Sequence, residues 1–255
     1  MVTSNLLLIV ERYIYRMKAS LALEELKGYG KKSRVSDLAR FYKTGPGEYA
    51  EGDLFLGGTV PETRSVAKNY KDLSFDELDK LFKSPFHEAR LCAAIILNLQ
   101  FKAAKSSDAR KKIFDFYLKQ VRSERINNWD IVDVSAPWMG VYLTEVDDPM
   151  PLLLKFSKSK SLWQRRVSII LTFALIRAGD LEPTLIISEA LLKDKEDLIH
   201  KAVGWMLREL GKKNVMLLRG FLKQHSHEMP RTMLRYAIER LPESERKRWL
   251  VESKG

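Results

Sequence analysis

The chain has one cysteine, Cys92, among 255 residues. A single thiol excludes an intramolecular disulfide framework and a thiolate metal cage. Its setting in Leu91-Cys92-Ala93-Ala94-Ile95-Ile96-Leu97 points to a half-buried or core thiol, not a nucleophile. Histidine is also scarce, with four in the chain. His225 and His227 are spaced like a metal pair, but no cysteine or acidic cluster completes a site, so no metal and no cofactor are expected. No apolar run approaches the roughly 18–20 residues of a membrane span; the longest lies around residues 169–176. The opening Asn5-Leu6-Leu7-Leu8-Ile9-Val10 is short, has no basic stretch before it and runs into Glu11-Arg12-Tyr13. It reads as the start of an amphipathic helix, not a signal peptide. Gly45-Pro46-Gly47 lacks the lysine and hydroxyl residue of a phosphate loop, and no Gly-x-Ser-x-Gly nucleophile motif occurs. These absences lead to the expectation of a soluble, cytoplasmic protein.

What the chain has in excess is positive charge: 44 Lys+Arg against 33 Asp+Glu, a net +11 and a pI near 9.6. Residues 201–255 hold thirteen of the basic residues and six of the acidic ones. Such a balance suits a polyanionic partner, the plainer alternative being a solvated charged face. With 45% hydrophobic residues the chain can bury a continuous core.

Apolar residues recur at three- and four-residue intervals along most of the sequence, and no alternating β-branched run is bounded by hairpin turns. A helix from Leu6 to about Leu26 should stop near Gly28-Tyr29-Gly30, and a short one covers Val35 to Tyr42. The turn-forming run from Thr44 to Asp53 is a loop. Pro61 opens a helix reaching Tyr70, Ser74 and Glu77 have capping-box spacing before Leu78–Phe82, and a further helix spans Glu88 to Leu99. Helices with an apolar stripe and a polar shoulder then recur around Arg90, Asp130, Arg166, Lys201 and Thr232. That spacing fits stacked helix pairs of the HEAT or armadillo type. The expectation is an all-α fold, a curved superhelical solenoid of such pairs forming one domain over residues 1–255.

Three stretches place residues where packing alone does not require them. In Asn127-Asn128-Trp129-Asp130-Ile131-Val132-Asp133-Val134-Ser135-Ala136-Pro137-Trp138, Trp129 and Asp133 stack on one helix face while Ile131, Val134 and Trp138 take the apolar positions. An indole beside a carboxylate is a possible catalytic pair; a packed ring and a surface acid is the other reading. In Leu162-Trp163-Gln164-Arg165-Arg166, two adjacent arginines open an apolar helix and need an anionic partner. In residues 199–210, Ala202, Val203, Met206, Leu207 and Leu210 form the buried stripe while Lys201, Trp205 and Arg208 share the opposite face. An indole flanked by cations suits a nucleotide, or packs against the next helix pair.

Taken together, Trp129-Asp130-Ile131-Val132-Asp133, Trp163-Gln164-Arg165-Arg166 and Lys201-Ala202-Val203-Gly204-Trp205-Met206-Leu207-Arg208-Glu209 resemble the DNA alkylation repair enzyme family, the AlkD-like DNA glycosylases built from HEAT-like repeats. Asp53-Leu54-Phe55-Leu56-Gly57 and Arg231-Thr232-Met233-Leu234-Arg235-Tyr236-Ala237-Ile238 also look like that pattern, and the resemblance runs from about Leu38 to Leu241.

The resemblance implies hydrolysis of the N-glycosidic bond of cationic N3- or N7-alkylated purines in double-stranded DNA, without a base-flipping pocket. The product is an abasic site, and the setting base excision repair by a monomer. It assigns Asp133 to the developing sugar cation and the attacking water, Trp129 and Trp205 to the charged nucleotide, and Arg166 to a backbone phosphate. Arg165, Lys201, Arg208, Arg231 and Arg235 become expected DNA contacts. The alternative is a non-catalytic DNA-binding or protein-interaction scaffold of the same fold.

Overall fold

A computed structural model describes residues 17–252. The part of the expected Leu6–Leu26 helix before Met17 lies outside the described residues; within them Met17 and Lys18 are not helical, and the helix begins at Ala19. The chain divides into two compact units, one ending at Ser135 and one beginning at Ala136.

The first unit is built on α1 (Ala19–Gly28), α2 (Lys32–Phe41), α3 (Val60–Asn69), α4 (Phe75–Phe82), α5 (His87–Ala103), α6 (Ser107–Arg122) and the start of α7 (Trp129–Met139). Its centre is α5, where Ala89 and every residue from Leu91 to Leu97 are buried, with Cys92 among them. A helix apolar on all sides must be surrounded, and α5 is packed by α1, α3, α4 and α6. By contrast α2 buries none of its residues.

Local signals set the boundaries. α1 ends at Gly28 as expected, and α3 begins under a capping box in which Thr59 and Glu62 bond reciprocally. The box expected at Ser74 and Glu77 forms only halfway. Ser74 accepts from the Glu77 amide, but the Glu77 carboxylate turns to the Ala19 amide at 2.8 Å and to Lys80. A buried amide at the head of another helix, with no acceptor in its own helix, thus outcompetes the local partner.

After the loop of residues 44–53, Leu54 and Phe86 form an isolated parallel bridge. Glu88 fastens the next turn, its carboxylate accepting from the amides of Leu56 and Gly57. Gly57 has φ +91, and a Cβ there would stand 2.3 Å from the Lys31 carbonyl oxygen, so only glycine fits.

The second unit takes the rest of α7, a 3-10 helix (Gly140–Glu145), α8 (Met150–Ser157), α9 (Leu162–Ala178), α10 (Glu182–Ala190), α11 (Asp197–Lys213), α12 (Val215–His225), α13 (Arg231–Ala237) and α14 (Glu243–Glu252). α9 packs on α8, α10 and α11, and α11 on α12 and α13. At Gly204 α11 comes close against α13, where a Cβ would meet the Met233 carbonyl oxygen at 2.5 Å.

The five repeat positions read from the sequence, Arg90, Asp130, Arg166, Lys201 and Thr232, fall on α5, α7, α9, α11 and α13. Among the described residues there is no β-strand, and no helix is long and apolar enough to cross a membrane.

Candidate functional site

The stretch from Asn128 to Ser135 enters α7 with its backbone already directed. The Asn128 side-chain oxygen accepts from the Trp129 amide and the Asp130 Oδ1 from the Ile131 amide, both at 2.8 Å. The buried stripe of α7 is Ile131, Val132, Ser135, Ala136 and Met139. This corrects the expected stripe of Ile131, Val134 and Trp138, since Val134 is half-buried and Trp138 exposed. Ser135 can take a core position because its hydroxyl donates back to the Ile131 carbonyl at 2.6 Å.

Trp129 and Asp133 are both half-buried, one helical turn apart. Trp129 stacks on Tyr42, with centroids 5.5 Å apart and planes at 21°, and meets Phe41 edge-on at 5.9 Å. Tyr42 is buried while Phe41, its neighbour, is 62% exposed. Behind Tyr42 the stack continues to Phe55 at 5.2 Å and His87 at 4.7 Å. The Asp133 carboxylate lies near the buried Tyr117, whose hydroxyl pKa is pushed up by burial and, further, by that negative charge.

Beneath the rings is a buried ionic ladder. His87 Nε2 is 2.8 Å from Asp130 Oδ2, the oxygen that also accepts from the Tyr42 hydroxyl at 2.9 Å. His87 Nδ1 faces Asp53 Oδ2 at 3.4 Å, and Arg90 Nη2 donates to Asp53 Oδ1 at 2.5 Å. Arg90 also donates to the Ser84 carbonyl and the Asn127 side chain. Burial pulls the His87 pKa down, but the carboxylates of Asp130 and Asp53 outweigh it and raise it to about 9. His87 is therefore an imidazolium at neutral pH. Burial pushes Asp53 up, and the His87 bond with the Arg90 charge overcomes this and holds it below the usual range.

None of Tyr42, Asp53, His87, Arg90 and Asp130 stood out as a site residue in the sequence. A usable signal was present: His87, Glu88 and Arg90 begin a helix that is otherwise apolar, and polar groups entering a core need buried partners.

In the second unit, Arg165 finds its anion inside the protein, pairing with Asp194 at 2.6 Å while donating to the carbonyls of Ser159 and Lys160. For Arg165 the anionic partner that the sequence called for is Asp194, brought to it by the turn after α10. Arg166 is buried, and its Nη1 donates to the Leu198 carbonyl in the first turn of α11.

On α11, Ala202, Val203, Met206, Leu207 and Leu210 are all inaccessible, as the sequence pattern requires. Trp205 is half-buried on the other side, tilted against Phe173 of α9 at 6.0 Å. Lys201 pairs with Asp197 at 2.8 Å, and Arg208 with Glu239. Arg231 donates to the Leu250 carbonyl at 2.7 Å, and Arg235 is exposed on α13.

A family model described as DNA alkylation repair enzyme matches residues 22–241. The chain belongs to the DNA alkylation repair enzyme family. A solved structure described as a predicted DNA alkylation repair enzyme from Enterococcus faecalis is 16% identical, with a TM-score of 0.66 over 84% of this chain and 97% of that one. A second, described as a new family of proteins related to the HEAT-like repeat DNA glycosylases with affinity for branched DNA structures, is 14% identical. Its TM-score is 0.53 over 87% of this chain and 83% of that one. The DNA alkylation repair enzyme family member described here thus has the HEAT-like helical fold. No curated protein matches the chain significantly.

Proposed function

We propose that this family member is a DNA glycosylase that hydrolyses the N-glycosidic bond of cationic N3- or N7-alkylated purines in duplex DNA. The observation that carries this reading is the pairing on α7 of a stacked, half-buried indole with a carboxylate one turn later. Alkylation at N3 or N7 gives the base a positive charge and makes it a good leaving group, so no strong general acid is needed. What the reaction needs is an anion to stabilise the sugar as it becomes oxocarbenium-like and to orient the attacking water. Asp133 is assigned that role. A scaffold that only held phosphates would do better without a carboxylate there, since like charges repel across a partly desolvated contact.

Trp129 and Trp205 are assigned to the charged nucleotide, with cation–π attraction of about 0.5–2 kcal/mol each. Arg166 is assigned to a backbone phosphate. Lys201, Arg208, Arg231 and Arg235, with Arg165 beside Arg166, are assigned sequence-independent contacts to the duplex. Exposed pairs such as Lys201 with Asp197 contribute roughly 0–1 kcal/mol, so a phosphate can replace the carboxylate at little cost. No cofactor or metal is required by this scheme, and the protein acts as a monomer in base excision repair, in the cytoplasm.

The second reading is a HEAT-like DNA-binding scaffold without turnover. It is favoured by the internal pairing of Arg165 and by the described affinity of one structural neighbour for branched DNA. Incubation with duplex carrying N7-methylguanine decides between them. Released methylated base supports the glycosylase; intact duplex that is nonetheless bound supports the scaffold.

A further inference from the structure

We propose that His87 is a positioning residue for Trp129, clamping Asp130 and Tyr42 so that the Tyr42 ring backs the indole at a fixed angle. This inference rests on the glycosylase reading for its effect on rate, and on geometry for everything else.

The chain of contacts is short. Asp130 is the residue after Trp129, and its Oδ2 is shared by His87 Nε2 at 2.8 Å and the Tyr42 hydroxyl at 2.9 Å. The Tyr42 ring lies against Trp129 on one side and Phe55 on the other, each at 21°. His87 stacks on Phe55 at 4.9 Å. One imidazole therefore fixes the carboxylate beside the indole, the phenol beneath it and the ring beneath that.

Charge explains why a cation is needed at this point. The groups facing His87 are Asp53 from the loop, Asp130 from α7, the Tyr42 hydroxyl, and Arg90 with Glu88 on its own helix. Arg90 serves Asp53, and Glu88 is bonded to the amides of Leu56 and Gly57. Asp130 accepts the Ile131 amide on Oδ1 and meets His87 and a phenol on Oδ2, and of these His87 is the one that can carry positive charge. An imidazolium donates from both nitrogens and balances two buried carboxylates against two cations. A neutral ring donates from one nitrogen and leaves a buried negative charge with no cation against it. The positioning device is therefore complete only while His87 is protonated.

The test uses full-length protein grown with 5-fluorotryptophan, the Trp129 fluorine resonance being the one lost from Trp129→Phe among the five tryptophans. In the wild type this resonance should move as pH is raised, with a midpoint near the His87 value of about 9. In His87→Gln it should be displaced and stay flat. Base release from N7-methylguanine duplex should fall about tenfold to a hundredfold in His87→Gln, as expected for a displaced reacting group, while duplex Kd changes less than about twofold. Tyr42→Phe, which removes only the hydroxyl bond to Asp130, should move the resonance in the same direction by less.

A folded His87→Gln with an unmoved Trp129 resonance and unchanged base release overturns the proposal. If that variant does not fold, the wild-type titration decides alone, and a resonance flat from about pH 7 to about pH 10 overturns it. A wild type that releases no base while its Trp129 resonance follows His87 overturns the glycosylase reading and leaves the positioning role standing.

Discussion

His87 and Tyr42, forty-five residues apart in the sequence, share one acceptor, Asp130 Oδ2, at 2.8 and 2.9 Å. That shared oxygen belongs to the residue adjoining Trp129, so the packing of the first unit reaches the indole through Asp130 as well as through the rings of Tyr42 and Phe41.

Asp133→Asn keeps the size of the side chain and removes its charge. Base release in single turnover should fall by at least about a hundredfold, the scale at which one electrostatic stabiliser acts. Duplex affinity should hold or rise slightly, because a repulsion toward phosphate is gone. Unchanged release would remove Asp133 from the mechanism.

Trp205→Ala deletes the ring that rests on Phe173 at 6.0 Å. If the indole faces a cationic nucleotide, discrimination of methylated over unmodified duplex should drop by about twofold to thirtyfold, the equivalent of about 0.5–2 kcal/mol. Trp205→Phe should recover part of it. A loss of melting temperature with discrimination intact would mean that the indole only packs.

The stability profile should be asymmetric in pH. His87 has a raised pKa in the folded protein, so its contribution is complete below the unfolded value near 6.5 and disappears as pH rises through about 9. Its size is on the order of 3 kcal/mol. Asp53, Glu77 and Asp79 have lowered pKa values, so their contributions are present above the usual carboxylate range and are lost on acidification. Chemical denaturation should show a maximum between about pH 5 and about pH 6.5, and His87→Gln should flatten the alkaline side.

Gly204→Ala drives a methyl group into the Met233 carbonyl oxygen, 2.5 Å from the ideal Cβ position, and into Tyr236. The cost should be about 1–3 kcal/mol, as for other overpacked contacts, read as a lower urea midpoint with an unchanged slope. Ala178→Gly, at the end of α9 and away from that contact, is the control and should cost less than about 1 kcal/mol.

Affinity for duplex should fall steeply with salt if phosphates drive binding. Lys201→Gln and Arg235→Gln should each reduce the slope of log affinity against log salt by about 0.9 if the side chain reaches a phosphate. A slope that no such substitution alters would place the duplex elsewhere on the protein.

Much of the framework was legible in the sequence because helices advertise themselves by period. The buried stripe of α11 follows directly from the spacing of Ala202, Val203, Met206, Leu207 and Leu210, and the 31- to 40-residue recurrence from Arg90 to Thr232 marks the alternate helices. Where side chains chose distant partners, local pattern misled. Glu77 left its own cap for the Ala19 amide; a different cause, a hydroxyl satisfied within its own helix by the Ile131 carbonyl, let Ser135 into the core stripe expected to hold Val134. The ionic ladder was hidden for the same reason as the Glu77 contact. Asp53, His87 and Asp130 meet only because the Leu54–Phe86 bridge and the start of α7 bring three separate segments together. Arg165 shows the converse case, an apparent surface cation that already has Asp194.

The burial of Cys92 at the centre of α5 has a practical use. With no exposed surface and a pKa pushed up to about 12 by burial, its thiol is almost never the reactive thiolate while the fold is closed. A protein proposed to work amid methylating electrophiles thus carries its one thiol where they do not reach it. Because no other cysteine competes, the rate at which a maleimide labels the native protein reports the opening of α5 around that thiol.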